Sequence, residues 1–159
     1  MQRFTDRRII ATGAGSGIGA ATVARLLDED GTVVAHDVSE IGLAATAAAA
    51  DEAGTGKRLT TAVLDVSSEA AVTDAIDATV ADLGGLDVLV NAAAIQHCAH
   101  THEHTLADWN ETLAINLTGT FLMVRQALPS LLASGHGVVV NFTSTAASFA
   151  HPYLSLIHI

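Results

Sequence analysis

A glycine-rich run near the start of the chain holds the residues best suited to binding a phosphate. The run is Thr12-Gly13-Ala14-Gly15-Ser16-Gly17-Ile18-Gly19, and it separates an apolar stretch from a helical pattern. Glycines at a strand-to-helix turn let the backbone approach a ligand closely, and the free N–H groups of the helix start favour a pyrophosphate. We expect ligand contacts from every residue of the run except Ala14, namely Thr12, Gly13, Gly15, Ser16, Gly17, Ile18 and Gly19.

A single carboxylate downstream of this loop is positioned to select the ligand. Asp37 follows Gly19 by eighteen residues and comes just after the apolar run at 32–35. An acidic residue about 20 residues beyond such a loop, at the end of the second strand, accepts a hydrogen bond from a ribose 2′-hydroxyl. The same charge repels a 2′-phosphate. The spacing therefore predicts a nicotinamide-dinucleotide site that prefers NAD to NADP.

The elements that must position these residues alternate along the chain. Apolar runs predict strands at 7–12, 32–36, 59–64, 86–91 and 137–142, and helical periodicity predicts helices at 17–29, 40–53, 68–83 and 108–132. Ser67 is the expected N-cap of the third helix. Repeated βα units of this length predict an α/β fold with a doubly wound parallel sheet and helices on both faces.

Bulk composition limits the classes of partner. The chain has 159 residues, a net charge of −10 and about half apolar residues, which is consistent with one domain and a sizeable core. This charge argues against nucleic acid and anionic membranes as partners. Cys98 is the only cysteine and no apolar run is long enough to cross a membrane, so we expect a cytoplasmic protein.

With the loop, Asp37 and the βα order in place, the chain resembles the short-chain dehydrogenase/reductase family. Leu64-Asp65-Val66 is similar to the family motif in which the Asp side chain and the next backbone group hold adenine. Asn91-Ala92-Ala93-Ala94 is similar to its Asn-Asn-Ala-Gly motif, with alanine at the second and fourth positions. Asn116 matches the helix Asn, and Ser144 matches the serine after the fifth strand.

The resemblance implies an activity and further cofactor contacts. The activity is hydride transfer between the nicotinamide and a small carbonyl or alcohol substrate, with Ser144 bonded to the substrate oxygen and Asn116 holding a relay water. The implied cofactor is NAD, and the additional contacts are Asp65, Val66, Asn91, Ala92 and Ala93. It further implies the sheet order 3-2-1-4-5, two later strands, and a homo-oligomeric full-length parent.

One family motif, Tyr-x-x-x-Lys, is missing from this chain. Tyr153 is the only tyrosine and Lys57 the only lysine. Residues 154–159 correspond to the translation of CTG TCT CTT ATA CAC ATC, which resembles a transposase-end sequencing adapter. We therefore expect residues 1–153 to be the N-terminal part of one dinucleotide-binding Rossmann domain and residues 154–159 to be a non-native tail. We also expect this fragment to be inactive.

Two alternative functions remain open at this point. The chain is a non-catalytic dinucleotide-binding module or sensor if its short end is natural. It is a metal-binding protein if the segment His97–His104 ligates zinc or nickel. We favour the dehydrogenase and expect no metal site, because the histidine-rich segment is also typical of a polar loop that lines a substrate pocket.

Overall fold

The structure is a computed structural model that describes residues 2–144. Its five strands are β1 (Arg8–Thr12), β2 (Thr32–Asp37), β3 (Leu59–Val63), β4 (Val88–Asn91) and β5 (Val138–Asn141). They form one parallel sheet in the order β3-β2-β1-β4-β5, which confirms the predicted α/β class and the order 3-2-1-4-5. In register, Thr12 pairs with His36 of β2 and with Asn91 of β4. The carboxyl ends of the three central strands therefore lie level with one another.

Five α-helices connect or follow these strands. They are α1 (Gly17–Asp28), α2 (Glu40–Glu52), α3 (Glu69–Leu83), α4 (Leu106–Thr112) and α5 (Thr120–Ala133). A 3-10 turn at Gly56–Arg58 precedes β3. Helix α3 begins one residue later than expected, because the side chain of Ser68 rather than Ser67 accepts a hydrogen bond from the Ala71 N–H.

The single helix expected at 108–132 is three segments. It starts at Leu106, where Thr105 and Asp108 form a reciprocal capping box. Residues Leu113–Gly119 are π-helical, and α5 then continues to Ala133. The apolar periodicity of the sequence does not reveal the π segment, because apolar side chains face the sheet both before and after it.

The core has two halves, one on each face of the sheet. On one face, Ile9 and Val33 pack with Leu27 of α1. On the other face, Ile10 packs against side chains of α3 and α5 such as Ile76 and Met123. Successive β1 residues thus point to opposite layers, as a parallel sheet covered by helices requires.

Two further findings concern membrane-spanning helices and the range of residues that the structure describes. No helix among residues 2–144 is long and apolar enough to cross a membrane. The predictions on Tyr153 and on the tail at 154–159 lie outside the described residues.

Candidate functional site

A cavity of about 330 Å³ opens at the carboxyl ends of β1, β2 and β4. It is lined by the glycine loop, by the ends of β2 and β3, by the segment after β4 and by Ile115 of the π segment. In an open parallel α/β sheet this crevice, where the strand order reverses, is the usual ligand site. The lining residues are Gly13, Ser16, Gly17, Ile18, Gly19, Asp37, Val38, Leu64, Asp65, Val66, Ala92, Ala93, Ala94, Ile95 and Ile115.

Two glycines of the loop, Gly13 and Gly19, pack so closely on their surroundings that a side chain is excluded at each. Gly13 has a φ of +64°, and a Cβ there would lie 2.5 Å from the Ala92 carbonyl oxygen. A Cβ at Gly19 would lie 1.9 Å from the Gly13 carbonyl oxygen. This packing brings the N-terminus of α1 against the loop, and Ser16 precedes the helix without a side-chain capping bond. The first N–H groups of α1 therefore face the cavity, where an anion would be stabilised.

Thr12 links the end of β1 to the segment that follows β4, at the border of the cavity. Its buried hydroxyl oxygen accepts hydrogen bonds from the backbone N–H groups of Ala92 and Ala93, both at 3.2 Å. Thr12 does not line the cavity itself. Its contacts fix the segment after β4 relative to the glycine loop.

Asp37 lies at the end of β2, on the wall of the cavity. One carboxylate oxygen accepts from the Gly15 N–H at 2.8 Å, and the other accepts from the Ser39 N–H at 2.9 Å. Two backbone donors therefore fix the orientation of this carboxylate. Gly15 is covered by it and is not part of the lining.

Asp65 and Val66 lie on the cavity wall beyond β3. The Oδ1 atom of Asp65 accepts from the backbone N–H of Ser67 at 2.9 Å and from its hydroxyl at 2.7 Å. Ser67 thus orients the carboxylate instead of capping α3. Val66 is buried and packs in the core on the α3 side of the sheet.

Besides Thr12 and Gly15, three predicted site residues lie outside the lining of this cavity, namely Asn91, Asn116 and Ser144. The Asn91 side chain donates to the Asn141 side chain at 2.8 Å and so ties β4 to β5. The Asn116 side chain accepts from the Ile95 N–H and donates to the Ile95 carbonyl, each at 2.9 Å. Ser144 follows β5 and is exposed. The Asn116 contacts anchor the segment after β4, whose residues Ala94 and Ile95 line the cavity.

His36, next to Asp37, is a core residue. It is 2% exposed, and its Nδ1 lies 3.1 Å from the Ala62 carbonyl oxygen. Burial lowers the pKa of its imidazole, because desolvation disfavours the charged form. The neutral ring donates from Nδ1 to that carbonyl.

The histidine-rich segment between β4 and α4 brings one imidazole to a carboxylate pair. The Nε2 atom of His97 lies 2.9 Å from a Glu111 carboxylate oxygen, and its Nδ1 lies 3.9 Å from Asp108. The Thr105 hydroxyl bond lowers the pKa of Asp108, and His97 adds a smaller effect in the same direction. Within residues 2–144 no group of three or more His, Cys, Asp or Glu side chains has the arrangement of a metal site.

Several residues of the cavity wall were not predicted as contact residues from the sequence. Val38, Leu64, Ala94, Ile95 and Ile115 are apolar, and they line the cavity only because the loops after three strands meet there. Leu64 and Ala94 belong to the quoted motifs, and Val38 and Ile95 adjoin predicted or motif residues. Ile115 belongs to the π segment and had no such neighbour except Asn116.

Comparison with known protein families shows to which family this chain belongs. The family model for short chain dehydrogenase matches residues 7–156. The chain belongs to the short-chain dehydrogenase family. Family members are oxidoreductases that use a nicotinamide dinucleotide, and the named relatives are dehydrogenases and reductases for small alcohol or carbonyl compounds.

Individual short-chain dehydrogenases resemble the chain over nearly all of its length. It is 38% identical over 148 residues to the D-threitol dehydrogenase of Mycolicibacterium smegmatis, covering 93% of the chain and 56% of that enzyme. It is 39% identical over 143 residues to the levodione reductase of Leifsonia aquatica, covering 89% of the chain and 54% of that enzyme. The chain therefore spans little more than half the length of these curated relatives.

The solved structures support the same assignment. The structure of NAD+-bound xylitol dehydrogenase superposes with a TM-score of 0.91 at 30% identity, covering 98% of this chain and 59% of that one. The sheet order and the loop positions described above are therefore those of short-chain dehydrogenases.

Proposed function

We propose that the cavity at the carboxyl ends of β1, β2 and β4 binds NAD. The observation that carries this proposal is the oriented carboxylate of Asp37, held by the Gly15 and Ser39 N–H groups at 2.8 and 2.9 Å. It offers acceptor oxygens to ribose hydroxyls and repels a 2′-phosphate. Among the described residues no lysine or arginine lines the cavity, so no cation there would neutralise the extra phosphate of NADP.

The remaining cofactor contacts follow from where the side chains and N–H groups lie. The first turn of α1, with Ser16, Gly17, Ile18 and Gly19, receives the pyrophosphate. Asp65 and the backbone of Val66 receive the adenine. Gly13, Ala92 and Ala93 contact the cofactor from the cavity wall. Thr12, Gly15 and Asn91 support these walls through hydrogen bonds.

The proposed reaction of the parent enzyme is hydride transfer between the nicotinamide and a carbonyl or alcohol carbon. Ser144 would hydrogen-bond the substrate oxygen, and Asn116 would hold a relay water near the segment that it anchors. NAD supplies the hydride chemistry when it is bound, and the protein supplies orientation and proton handling. Relatives named for D-threitol and levodione favour a small hydroxylated or cyclic substrate.

The 159-residue chain is proposed to bind NAD without turning it over. Its sequence has no Tyr-x-x-x-Lys, and its single lysine, Lys57, precedes β3. Residues 1–153 would belong to one Rossmann domain and residues 154–159 to the adapter tail. The family match ends at residue 156, within that tail. The parent is proposed to be a homo-oligomer.

The test is calorimetric titration of the chain with NAD and with NADP, using the wild type and the Asp37→Asn variant. We expect the wild type to bind NAD at least tenfold more tightly than NADP, since one charge contact is worth about 1.5–3 kcal/mol. Asp37→Asn should weaken NAD binding and reduce the preference. No NADH should form with D-threitol present.

The matched control is Asp74→Asn, an exposed acidic residue on α3 that lies away from the cavity. It has the same charge change and should leave both affinities unaltered. Equal binding of NAD and NADP by the wild type would refute the proposed preference. Absence of NAD binding by a folded wild type would refute the proposed function.

A further inference from the structure

Helix α2 contacts the cofactor loop without lining the cavity. The hydroxyl of Thr46 donates a hydrogen bond of 2.8 Å to the Ala14 carbonyl oxygen, and both residues are buried. Ala14 is also bonded at its other end, since its N–H donates to the His36 carbonyl at 3.0 Å. The loop residue between Gly13 and Gly15 is thus held by β2 on one side and by α2 on the other.

One helical turn before Thr46, α2 approaches the loop even more closely. A Cβ at Gly42 would lie 2.7 Å from the Gly15 carbonyl oxygen and 2.9 Å from its Cα. Residues four apart share a helix face, so Gly42 and Thr46 present one surface to the loop. The missing side chain at Gly42 is what lets this surface touch the backbone of Gly15.

The start of α2 is coupled to the same carboxylate that faces the cavity. Asp37 accepts from the Gly15 N–H and from the Ser39 N–H, and Ser39 caps α2 by accepting from the Gly42 N–H at 3.0 Å. Loop, carboxylate and helix start therefore form one connected set of hydrogen bonds. A shift of α2 would move Gly15 and Asp37 together.

We infer that Thr46 and Gly42 are positioning residues for the dinucleotide. They hold the 14–15 segment so that the first N–H groups of α1 and the Asp37 carboxylate face the pyrophosphate and the adenosine ribose. The inference rests on the proposed NAD site and adds to it a second layer of residues, on a helix that does not line the cavity. Neither residue touches the cofactor.

The experiment compares NAD affinity in three variants by calorimetry, with folding checked by circular dichroism. Thr46→Val removes the hydroxyl at nearly constant volume, and Thr46→Ser keeps it. Thr73→Val is the matched control, because its hydroxyl bonds only the Glu69 carbonyl within the exposed surface of α3. We expect Thr46→Val to weaken NAD binding about tenfold, because a displaced loop would misalign the α1 N–H groups and the Asp37 carboxylate with the cofactor, while the other two stay within about threefold of the wild type.

A merely structural role for Thr46 would lower the free energy of unfolding and leave the dissociation constant of the folded protein unchanged. Equal NAD affinity of Thr46→Val and the wild type overturns the inference. Equal weakening by Thr46→Ser also overturns it, since the hydroxyl would then be irrelevant. If Thr46→Val does not fold, Gly42→Ala tests the second contact of α2 with the loop, because its Cβ must displace the Gly15 backbone and weaken NAD binding.

A second measurement separates failure of the inference from failure of the proposed function. Amide hydrogen exchange in the ligand-free chain should become faster at residues 14–17 in Thr46→Val and stay unchanged in Thr73→Val. If the wild type binds no NAD, the proposed function falls whatever the exchange shows. If the wild type binds NAD and exchange at the loop is unaltered, the positioning role falls alone.

Discussion

Single side chains connect parts of this chain that are far apart in sequence. The Thr12 hydroxyl bonds backbone groups 80 and 81 residues away. At the opposite end of β1, the carboxylate of Asp87 accepts three hydrogen bonds from Arg8, one from the backbone and two from the guanidinium, at 2.8–2.9 Å. Thr12 thus joins the strands at the cavity end, and Asp87 joins them at the other end.

The buried Asp87 gives the fold a defined acid sensitivity. The Arg8 hydrogen bonds lower its pKa from 3.8 to about 2, with His136 as a minor contributor. The folded state is therefore stabilised by the ionised form, fully so above pH 3.8, and this stability is lost as the pH falls through about 2. We expect a loss of about 2 kcal/mol of unfolding free energy over that interval.

Urea unfolding between pH 5 and pH 2 measures this loss. Asp87→Asn, which cannot ionise, should be less stable at pH 5 and should show a shallower pH dependence than the wild type. Asp82→Asn, an exposed residue at the end of α3, is the control and should keep the wild-type slope. Parallel curves for the wild type and Asp87→Asn would contradict the assignment.

At the level of elements, the π segment Leu113–Gly119 positions the wall of the cavity. It carries Asn116, whose amide pairs with both backbone groups of Ile95, and Ile115, which lines the cavity directly. A π segment shifts the side chains that follow it relative to a regular helix, which is how one helix reaches a loop and still packs α5 on the sheet. The interruption thus helps to form the cavity wall, and its Ile115 also packs against the core.

Asn116→Ala should loosen the segment after β4. It leaves the N–H and the carbonyl of Ile95 without their side-chain partner, so we expect the free energy of unfolding to fall by about 1–3 kcal/mol. NAD binding should weaken as well, because Ala94 and Ile95 form one cavity wall. Urea unfolding and calorimetry measure the two effects.

Asn110→Ala is the matched control for this change, since Asn110 is exposed on α4. It should alter neither quantity. If Asn116→Ala retained the stability of Asn110→Ala, the double hydrogen bond to Ile95 would contribute nothing to the fold.

At the level of the whole molecule, the described sheet has an apolar edge. Val138, Val139 and Val140 of β5 are 48%, 37% and 39% exposed. Phe121 and Leu128 of α5 are also exposed, at 56% and 43%. Exposed apolar edge strands are templates for pairing with other chains.

We expect this edge to drive self-association of the 159-residue chain. Sedimentation analysis over a concentration series should give a rising average mass for the wild type and a lower one for Val139→Lys, because an edge lysine opposes pairing. Ile41→Lys, on the exposed surface of α2, is the control and should behave like the wild type. The same mass series for all three proteins would exclude β5 as the contact.

The sequence by itself determined the order of the elements, the parallel sheet and the candidate loop. Apolar runs, helical periodicity and glycine turns are local signals, and the spacing from Gly19 to Asp37 is set by one helix and one strand. The predicted N-cap, Ser67, was wrong by one residue. Two adjacent serines offer the same local signal, and only Ser68 reaches the Ala71 N–H.

Only the tertiary structure decided which side chains meet. Thr46 bonds a carbonyl 32 residues away, Asn116 bonds Ile95 21 residues away, and Asn91 bonds Asn141 50 residues away. None of these pairs has a local pattern, because the first two depend on how a helix is rotated and shifted when its apolar face packs on the sheet. The third depends on the register between β4 and β5. That packing is the sum of many contacts, and it places residues that belong to no sequence motif where they support the site.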